Sequence, residues 1–358
     1  MMNAGPQKQK LVLALPSKGR LQEQCINFLS GCGFDVRRIG NGREYVARMV
    51  GVDDVNVIFL RPEEIPNRVE QGDAHAGMTG EDLYREYGEG APVSALVMPR
   101  LGFGGARLVV AVPQSWVDVS STSDLDEAAM LFHQRHGRSL RVATKFTRLT
   151  RTFFADNGIT EYSLVESSGA TEGAPASGVA DFVVDLTSTG TTLAENHLKE
   201  ISGGTVLQTE VCLIASLRNA PWSPPAIAAL EHLVEQIEAR IRATSQLVLR
   251  FSIPNKASAN AKQCLTDKYG CVLSSWSNGA ASPAAAGRTI VVAYCQRAKL
   301  YSVVKFLKAS GAAGIIVDRG EFIFEESSPA FETFRQALRW HAAAAKPKAA
   351  ARQQSARR

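Results

Sequence analysis

No apolar run in this chain approaches the roughly 20 residues that cross a bilayer, so a membrane-spanning segment is not expected. Cysteine is sparse. Cys25, Cys32, Cys212, Cys264, Cys271 and Cys295 form no CxxC pair, which removes the usual zinc and disulfide signatures. Reduced, mostly buried thiols are the expectation. The six histidines show no metal-ligand spacing, and His133 and His136 fall on a surface helix or loop. No Ser-His-Asp order stands out. The glycines of "LGFGGAR" (101–107) lack the G-x-G-x-x-G spacing and precede a strand rather than a helix. A nucleophilic triad, a protein-held metal and a dinucleotide fingerprint are therefore all poorly supported.

Charge of one sign is also scarce in the body of the chain. The formal net charge is +5, yet from Arg335 to the end there are seven Lys/Arg and no acids. Setting those seven aside leaves 33 basic against 35 acidic residues. A nucleic-acid contact would rest on that tail alone. Its composition, ending "KPKAAARQQSARR", reads as disorder, so nucleic acid is not an expected partner. With 358 residues, 45% hydrophobic and 21% charged, a soluble protein of two or three domains is expected. In "MMNAGPQKQKLVLALPSKGR", Lys18 and Arg20 interrupt a short apolar run and no cleavage-like segment follows. It reads as a tail entering a first strand, and the protein as cytoplasmic.

What is present is an alternation of short apolar runs with helical periodicity. Leu11–Leu15 is followed by "PSKGR" and a helical pattern through Leu29; further runs lie at Val36–Ile39, Val55–Leu60 and His75–Met78. Continuous apolar strands between helices indicate a parallel α/β sheet. A second α/β unit starts near "RLGFGGARLVVAVP" and continues through "LRVATKF", a helix near 149–157, and a strand at Tyr162–Val165. "TVLQTEVCLIAS" offers a return to the first unit, and Pro221, Pro224 and Pro225 introduce a long helix over Ala226–Ala243. From Gln246 the pattern is βαββαβ, interrupted by the aperiodic loop "SNGAASPAAAGR" at 277–288.

The chemistry gathers at strand ends. Phe182–Val184 is followed by "DLTSTGTTL" (185–193), in the order strand, glycine loop, helix start. A helix N-terminus has unpaired N–H groups and a positive dipole, so phosphate binds there readily. Thr187, Ser188, Thr189, Thr191 and Thr192 add hydroxyls, Gly190 admits an oxygen to the backbone, and Asp185 suits sugar hydroxyls. A helix cap shares these features. Upstream, "ESSGATEGAPASG" supplies Glu166 and Glu172 in a loop of small residues. Lys18, Arg20 and Arg61 stand at strand ends, where α/β sheets take ligands. Three such cations opposite a hydroxyl-rich loop suggest a polyphosphate spanning a cleft.

With "LPSKGRL", "LRPEEIPNRVEQGDAHAGMTGEDL", "LGFGGARLVVAVP", "RVATKFTRLTRTFF" and "GATEGAPASGVADFVVDLTSTGTTLAENHLKEI" in order over 11–216, the chain resembles the ATP phosphoribosyltransferases of histidine biosynthesis, in their long form. The resemblance implies two periplasmic-binding-protein-like lobes around a cleft, lobe I at 11–99 and 195–245 and lobe II at 100–194. Residues 1–10 are then a flexible N-terminus, 246–326 an ACT-like regulatory domain and 327–358 a disordered basic tail. It implies transfer of a phosphoribosyl group to N1 of ATP with Mg²⁺ carried mainly by substrate, and no metal ligands of the protein's own. Glu172, Asp185, Thr187, Ser188, Thr189, Gly190, Thr191 and Thr192 would hold phosphoribosyl pyrophosphate. Lys18, Arg20, Arg61, Gly80 and Asp82 would face ATP and pyrophosphate, with Lys18, Arg20 and Asp185 catalytic. It also implies a homo-oligomer, dimer to hexamer, inhibited by L-histidine. Ala106 departs from the family, which often carries Cys there.

Two other readings compete. A prephenate-dehydratase-like enzyme shares the two lobes and ACT-type domain, but "TRTFF" (150–154) only grazes its Thr-Arg-Phe motif and lies in a helix. A non-catalytic anion-binding module would use the same lobes without needing so many strand-end cations.

Overall fold

The computed structural model describes residues 10–38, 46–52, 54–89, 94–98, 100–167, 169–218, 222–278 and 287–339. They fall into two compact units, 1–230 together with 330–358, and 231–329.

The first unit holds two sheets. It opens with β1 (Leu11–Pro16), α1 (Gly19–Gly31), β2 (Asp35–Arg38), β3 (Val46–Val50), β4 (Val55–Leu60) and α2 (Ile65–Gln71). After β5 (Ala76–Gly80), α3 (Glu81–Tyr87) and β6 (Ser94–Met98), the chain crosses to the second lobe. There follow β7 (Ala106–Pro113), α4 (Thr122–His136), β8 (Leu140–Thr144), α5 (Thr147–Asp156) and β9 (Tyr162–Glu166). That lobe ends with β10 (Phe182–Thr187), α6 (Thr191–Glu195) and β11 (Leu198–Thr209), and β12 (Val211–Ser216) returns to the first sheet. The sheet orders are β2-β3-β4-β1-β5-β12-β6 and β11-β7-β10-β8-β9, the α/β arrangement expected of periplasmic-binding-protein-like lobes. The long β11 pairs with β7, so the return falls at Glu210 rather than near 195.

Local sequence accounts for these elements. β1, β4 and β5 are parallel neighbours with mostly apolar side chains, and β5 is buried along its whole length. In α1, Cys25 and Leu29 stand four residues apart and are the buried pair of its inner face. Helix α4 starts at a capping box between Ser121 and Asp124 and stops at Gly137, whose φ of 68° is left-handed. The two crossings between lobes are themselves paired: Leu101 N–H donates to Val211 O (3.0 Å), and Val211 N–H donates to Phe103 O (3.1 Å).

The chain leaves the first unit along α7 (Pro224–Ser245). The second unit then runs β13 (Gln246–Pro254), α8 (Asn255–Gln263), β14 (Val272–Asn278), β15 (Arg288–Gln296), α9 (Leu300–Ala309) and β16 (Ala313–Asp318). The antiparallel order β14-β15-β13-β16 is that of a ferredoxin-like, ACT-like βαββαβ domain. Leu249, Phe251, Val291, Val303 and Leu307 lie in its core. The centre of the 277–288 loop, 279–286, lies outside the described residues.

The disordered tail expected from 327 is corrected over its first part. Residues 329–339 are helical, and Phe331 and Phe334 are buried. Phe331, Phe334 and Leu338 recur at helical spacing, and that apolar stripe outweighs the polar composition around it. The Phe334 ring lies 5.3 Å from that of Trp222, which in turn meets His75 edge-on at 5.0 Å. Residues 340–358 lie outside the described residues.

Candidate active site

β1 and β4 run in register to the pair Pro16 and Leu60, so the residues after both strands emerge together. Lys18 and Arg61 accordingly line one hollow of about 610 Å³ with Ser17, Leu60 and Glu64. Arg20, in the first turn of α1, opens instead on a second hollow of about 320 Å³. Its other walls are Leu21 and Gln24 of α1, the crossing residues Gly104–Ala106, and Leu186, Thr187 and Ser188 of the second lobe. The three predicted cations thus divide, two over one hollow and one facing the hydroxyl loop. Gly104 shapes the crossing: its φ is 70°, and an added Cβ would lie 2.7 Å from the Val211 side chain.

Opposite stands the end of β10. The Asp185 carboxylate accepts a hydrogen bond from Leu186 N–H (2.8 Å). Burial pushes its pKa up to about 6, helped by the nearby charge of Glu172 and opposed by that of Lys145. The loop beyond is braced from within. Gly190 N–H donates to Thr187 Oγ1 (2.8 Å), and the Thr189 and Thr191 hydroxyls are 2.9 Å apart. Thr187 is buried, so it builds the turn, whereas Ser188, Thr189, Thr191 and Thr192 are exposed. Gly190 has φ 79°, the left-handed conformation that releases the chain into α6. Beside the loop, Arg107 holds Glu200 through two hydrogen bonds of 2.7 and 3.0 Å. Glu172 sits in a short 3₁₀ turn, Thr171–Gly173, after Ala170 at φ 49°.

Gly80 and Asp82 come together in a different way. An added Cβ on Gly80 would fall 2.3 Å from Asp82 Oδ1, so the glycine makes room for that carboxylate. Asp82 is buried; Thr209 Oγ1 donates to its Oδ1 (2.7 Å) and accepts from its N–H (3.0 Å). Burial raises the Asp82 pKa, and the Thr209 bond only partly opposes it. These two predicted residues are thereby tied to the end of β11, next to the return crossing.

Three groups that tie the lobes lie outside the expected site residues. Lys145, the residue after β8, pairs with Glu63 of the first lobe. Burial pushes the Glu63 carboxyl up, but the hydrogen bond and charge of Lys145, with help from Lys18, outweigh it and leave it lowered. As a strand-end cation in "VATKF", Lys145 matches the pattern that singled out Lys18 and Arg61. Glu86, buried on α3, accepts from Arg148 N–H (2.8 Å), Leu149 N–H (2.9 Å) and Thr147 Oγ1 (3.3 Å). Helix α5 has Phe146 at its N-cap and no capping side chain of its own, so a carboxylate from the other lobe supplies the cap. Arg148 Nη1 completes the contact by donating to Gly88 O (2.6 Å).

Among the described residues, no group of three or more His, Cys, Asp or Glu side chains converges as a metal-binding set, and no helix is long and apolar enough to cross a membrane. Thr150, the first residue of "TRTFF", is fully buried in α5 and not offered to a ligand. One hollow thus sets the hydroxyl turn against Arg20, and a second gathers the cations Lys18 and Arg61.

Residues 61–242 match the family described as ATP phosphoribosyltransferase (HisG). An ATP phosphoribosyltransferase of Bradyrhizobium sp. (strain ORS 278) is 39% identical over 329 residues, covering 92% of this chain and 98% of the relative. One from Nitrobacter winogradskyi (strain Nb-255) is also 39% identical over 329 residues, with the same coverage. Among solved structures, the ATP phosphoribosyl transferase (HisG:HisZ) complex from Thermotoga maritima is 25% identical with a TM-score of 0.48, covering 64% of this chain and 98% of that one.

Proposed function

This chain belongs to the ATP phosphoribosyltransferase family, and on that premise we propose that the cleft between its first two lobes is where the reaction takes place. The enzyme joins N1 of ATP to C1′ of 5-phosphoribosyl 1-pyrophosphate, giving 1-(5-phosphoribosyl)-ATP and pyrophosphate, the first step of L-histidine biosynthesis. The observation that carries the site is the end of β10, where Asp185 is followed by the hydroxyl-rich turn that shares a hollow with Arg20, while Lys18 and Arg61 line a second hollow after β1 and β4.

The exposed hydroxyls of Ser188, Thr189, Thr191 and Thr192, with the backbone at Gly190, take the 5′-phosphate. Thr187 braces that turn, Asp185 accepts from the ribose hydroxyls, and Glu172 closes the loop side. Lys18, Arg20 and Arg61 take the pyrophosphate and the nucleotide phosphates as point charges or bidentate forks. Gly80 and Asp82 fix the nucleotide side of the cleft through Thr209. Adenine N1 attacks with its own lone pair and needs no strong base, consistent with a site built from cations and hydrogen bonds. Catalysis comes from holding two substrates in line and neutralising the leaving diphosphate. Mg²⁺ carried on the phosphoribosyl pyrophosphate would supply further positive charge to the leaving diphosphate.

The ferredoxin-like second unit is the place for feedback inhibition by L-histidine. The working form is a cytoplasmic homo-oligomer, from dimer to hexamer. Both readings rest on family membership. Asp185→Ala and Thr192→Ala test the site. Each is expected to lower kcat/KM for phosphoribosyl pyrophosphate at least tenfold, about 1.4 kcal/mol. Unchanged kinetics in both would return the turn to a plain helix cap.

A further inference from the structure

β8 and β10 are parallel, with Thr144 opposite Val184, so Lys145, just past the end of β8, lies beside Asp185 near the end of β10. That is the edge where α/β sheets take ligands. The Lys145 ammonium pairs with Glu63, which follows Arg61 on the far wall, and its charge also acts on Asp82 and Asp185. One lysine therefore serves three carboxylates in a cleft that must admit a diphosphate. An unaccompanied Glu63 would repel that group, and Lys145 together with Lys18 offsets its charge.

We propose that Lys145 is a pyrophosphate-binding residue held in waiting by Glu63. When phosphoribosyl pyrophosphate enters, the ammonium passes from the carboxylate to the diphosphate. This inference rests on the phosphoribosyl reading of the cleft. The exchange is energetically easy. The side chains of Lys145 and Glu63 are 32% and 35% exposed, and a pair so open to solvent contributes little to stability. The diphosphate carries more negative charge than the carboxylate it replaces, and a lysine on a flexible stem can follow it.

The two partners should therefore act in opposite directions, which no fixed structural ion pair does. Binding of inorganic pyrophosphate with Mg²⁺ is measured by calorimetry on the full chain, alongside steady-state kinetics and melting temperatures. Lys145→Met should weaken pyrophosphate at least roughly tenfold and raise KM for phosphoribosyl pyrophosphate more than that for ATP. Lys145→Arg should restore binding to within about threefold. Glu63→Gln should tighten pyrophosphate roughly twofold or more, because the competing acceptor is gone. An active wild type whose variants all bind pyrophosphate alike overturns this proposal alone, as does equal weakening by Lys145→Met and Glu63→Gln. A wild type that makes no product from ATP and phosphoribosyl pyrophosphate overturns the active-site reading and this proposal with it.

Discussion

Replacing Glu86 by alanine should loosen the first unit by a predictable amount. Its carboxylate serves two backbone N–H groups at the start of α5, at 2.8 and 2.9 Å, together with the Thr147 hydroxyl. Loss of a helix cap costs about 1 kcal/mol, and a carboxylate at a helix N-terminus adds about 0.3–1 kcal/mol through the dipole. Donors left buried without a partner cost about 1–3 kcal/mol each, which water entering the gap partly offsets. A total of about 2–4 kcal/mol follows. For a unit of this size it corresponds to roughly 5–15 °C in melting temperature. Glu86→Gln keeps an acceptor oxygen and loses only the charge, so roughly half the shift is expected. Thermal unfolding followed by circular dichroism reads both variants. A Glu86→Ala shift under about 2 °C would refute the cross-lobe cap. Because α5 begins just after Lys145 and Phe146, the alanine variant should also raise KM for phosphoribosyl pyrophosphate at temperatures where it stays folded.

Two further outcomes follow from the same structure. The Asp185 carboxyl, raised to about 6 by burial and Glu172, is ionised above that pH and protonated below it; the ionised form is the stronger acceptor for sugar hydroxyls. kcat/KM for phosphoribosyl pyrophosphate should therefore fall roughly tenfold per unit below pH 6, and Asp185→Asn should remove that limb; a limb persisting unchanged in the variant would assign it elsewhere. Phe334→Ala should destabilise the first unit by about 3 kcal/mol through the cavity left against Trp222, whereas a melting curve identical to wild type would return 329–339 to the disordered reading.

Much of the fold was legible because the relevant signals are local. Continuous apolar strands such as Val55–Leu60 alternate with helices such as α1, whose inner face repeats Cys25 and Leu29, and this announces parallel α/β units. The hydroxyl-rich turn is also local: strand, acid, hydroxyls and a left-handed Gly190 lie within nine residues of chain. What stayed hidden depends on partners far along the chain. Nothing in "EDLYREY" says that Glu86 caps a helix 62 residues later. Nothing in "VATKF" says that Lys145 meets Glu63, although its strand-end position put it in the same class as Lys18. The start of β11 belongs to the second sheet because it pairs with β7, and an apolar run does not name its neighbour. The helix over 329–339 is masked in the composition by the polar residues that follow it.

The most direct test of the account is formation of 1-(5-phosphoribosyl)-ATP by the purified full chain. ATP and phosphoribosyl pyrophosphate are supplied with Mg²⁺ and pyrophosphatase, and the N1-ribosyl adenine absorbance is followed. Product is expected together with two equivalents of inorganic phosphate, from hydrolysis of the released pyrophosphate, and the signal should be lost when either substrate is omitted. No absorbance change under those conditions, from protein shown to be folded, would contradict it.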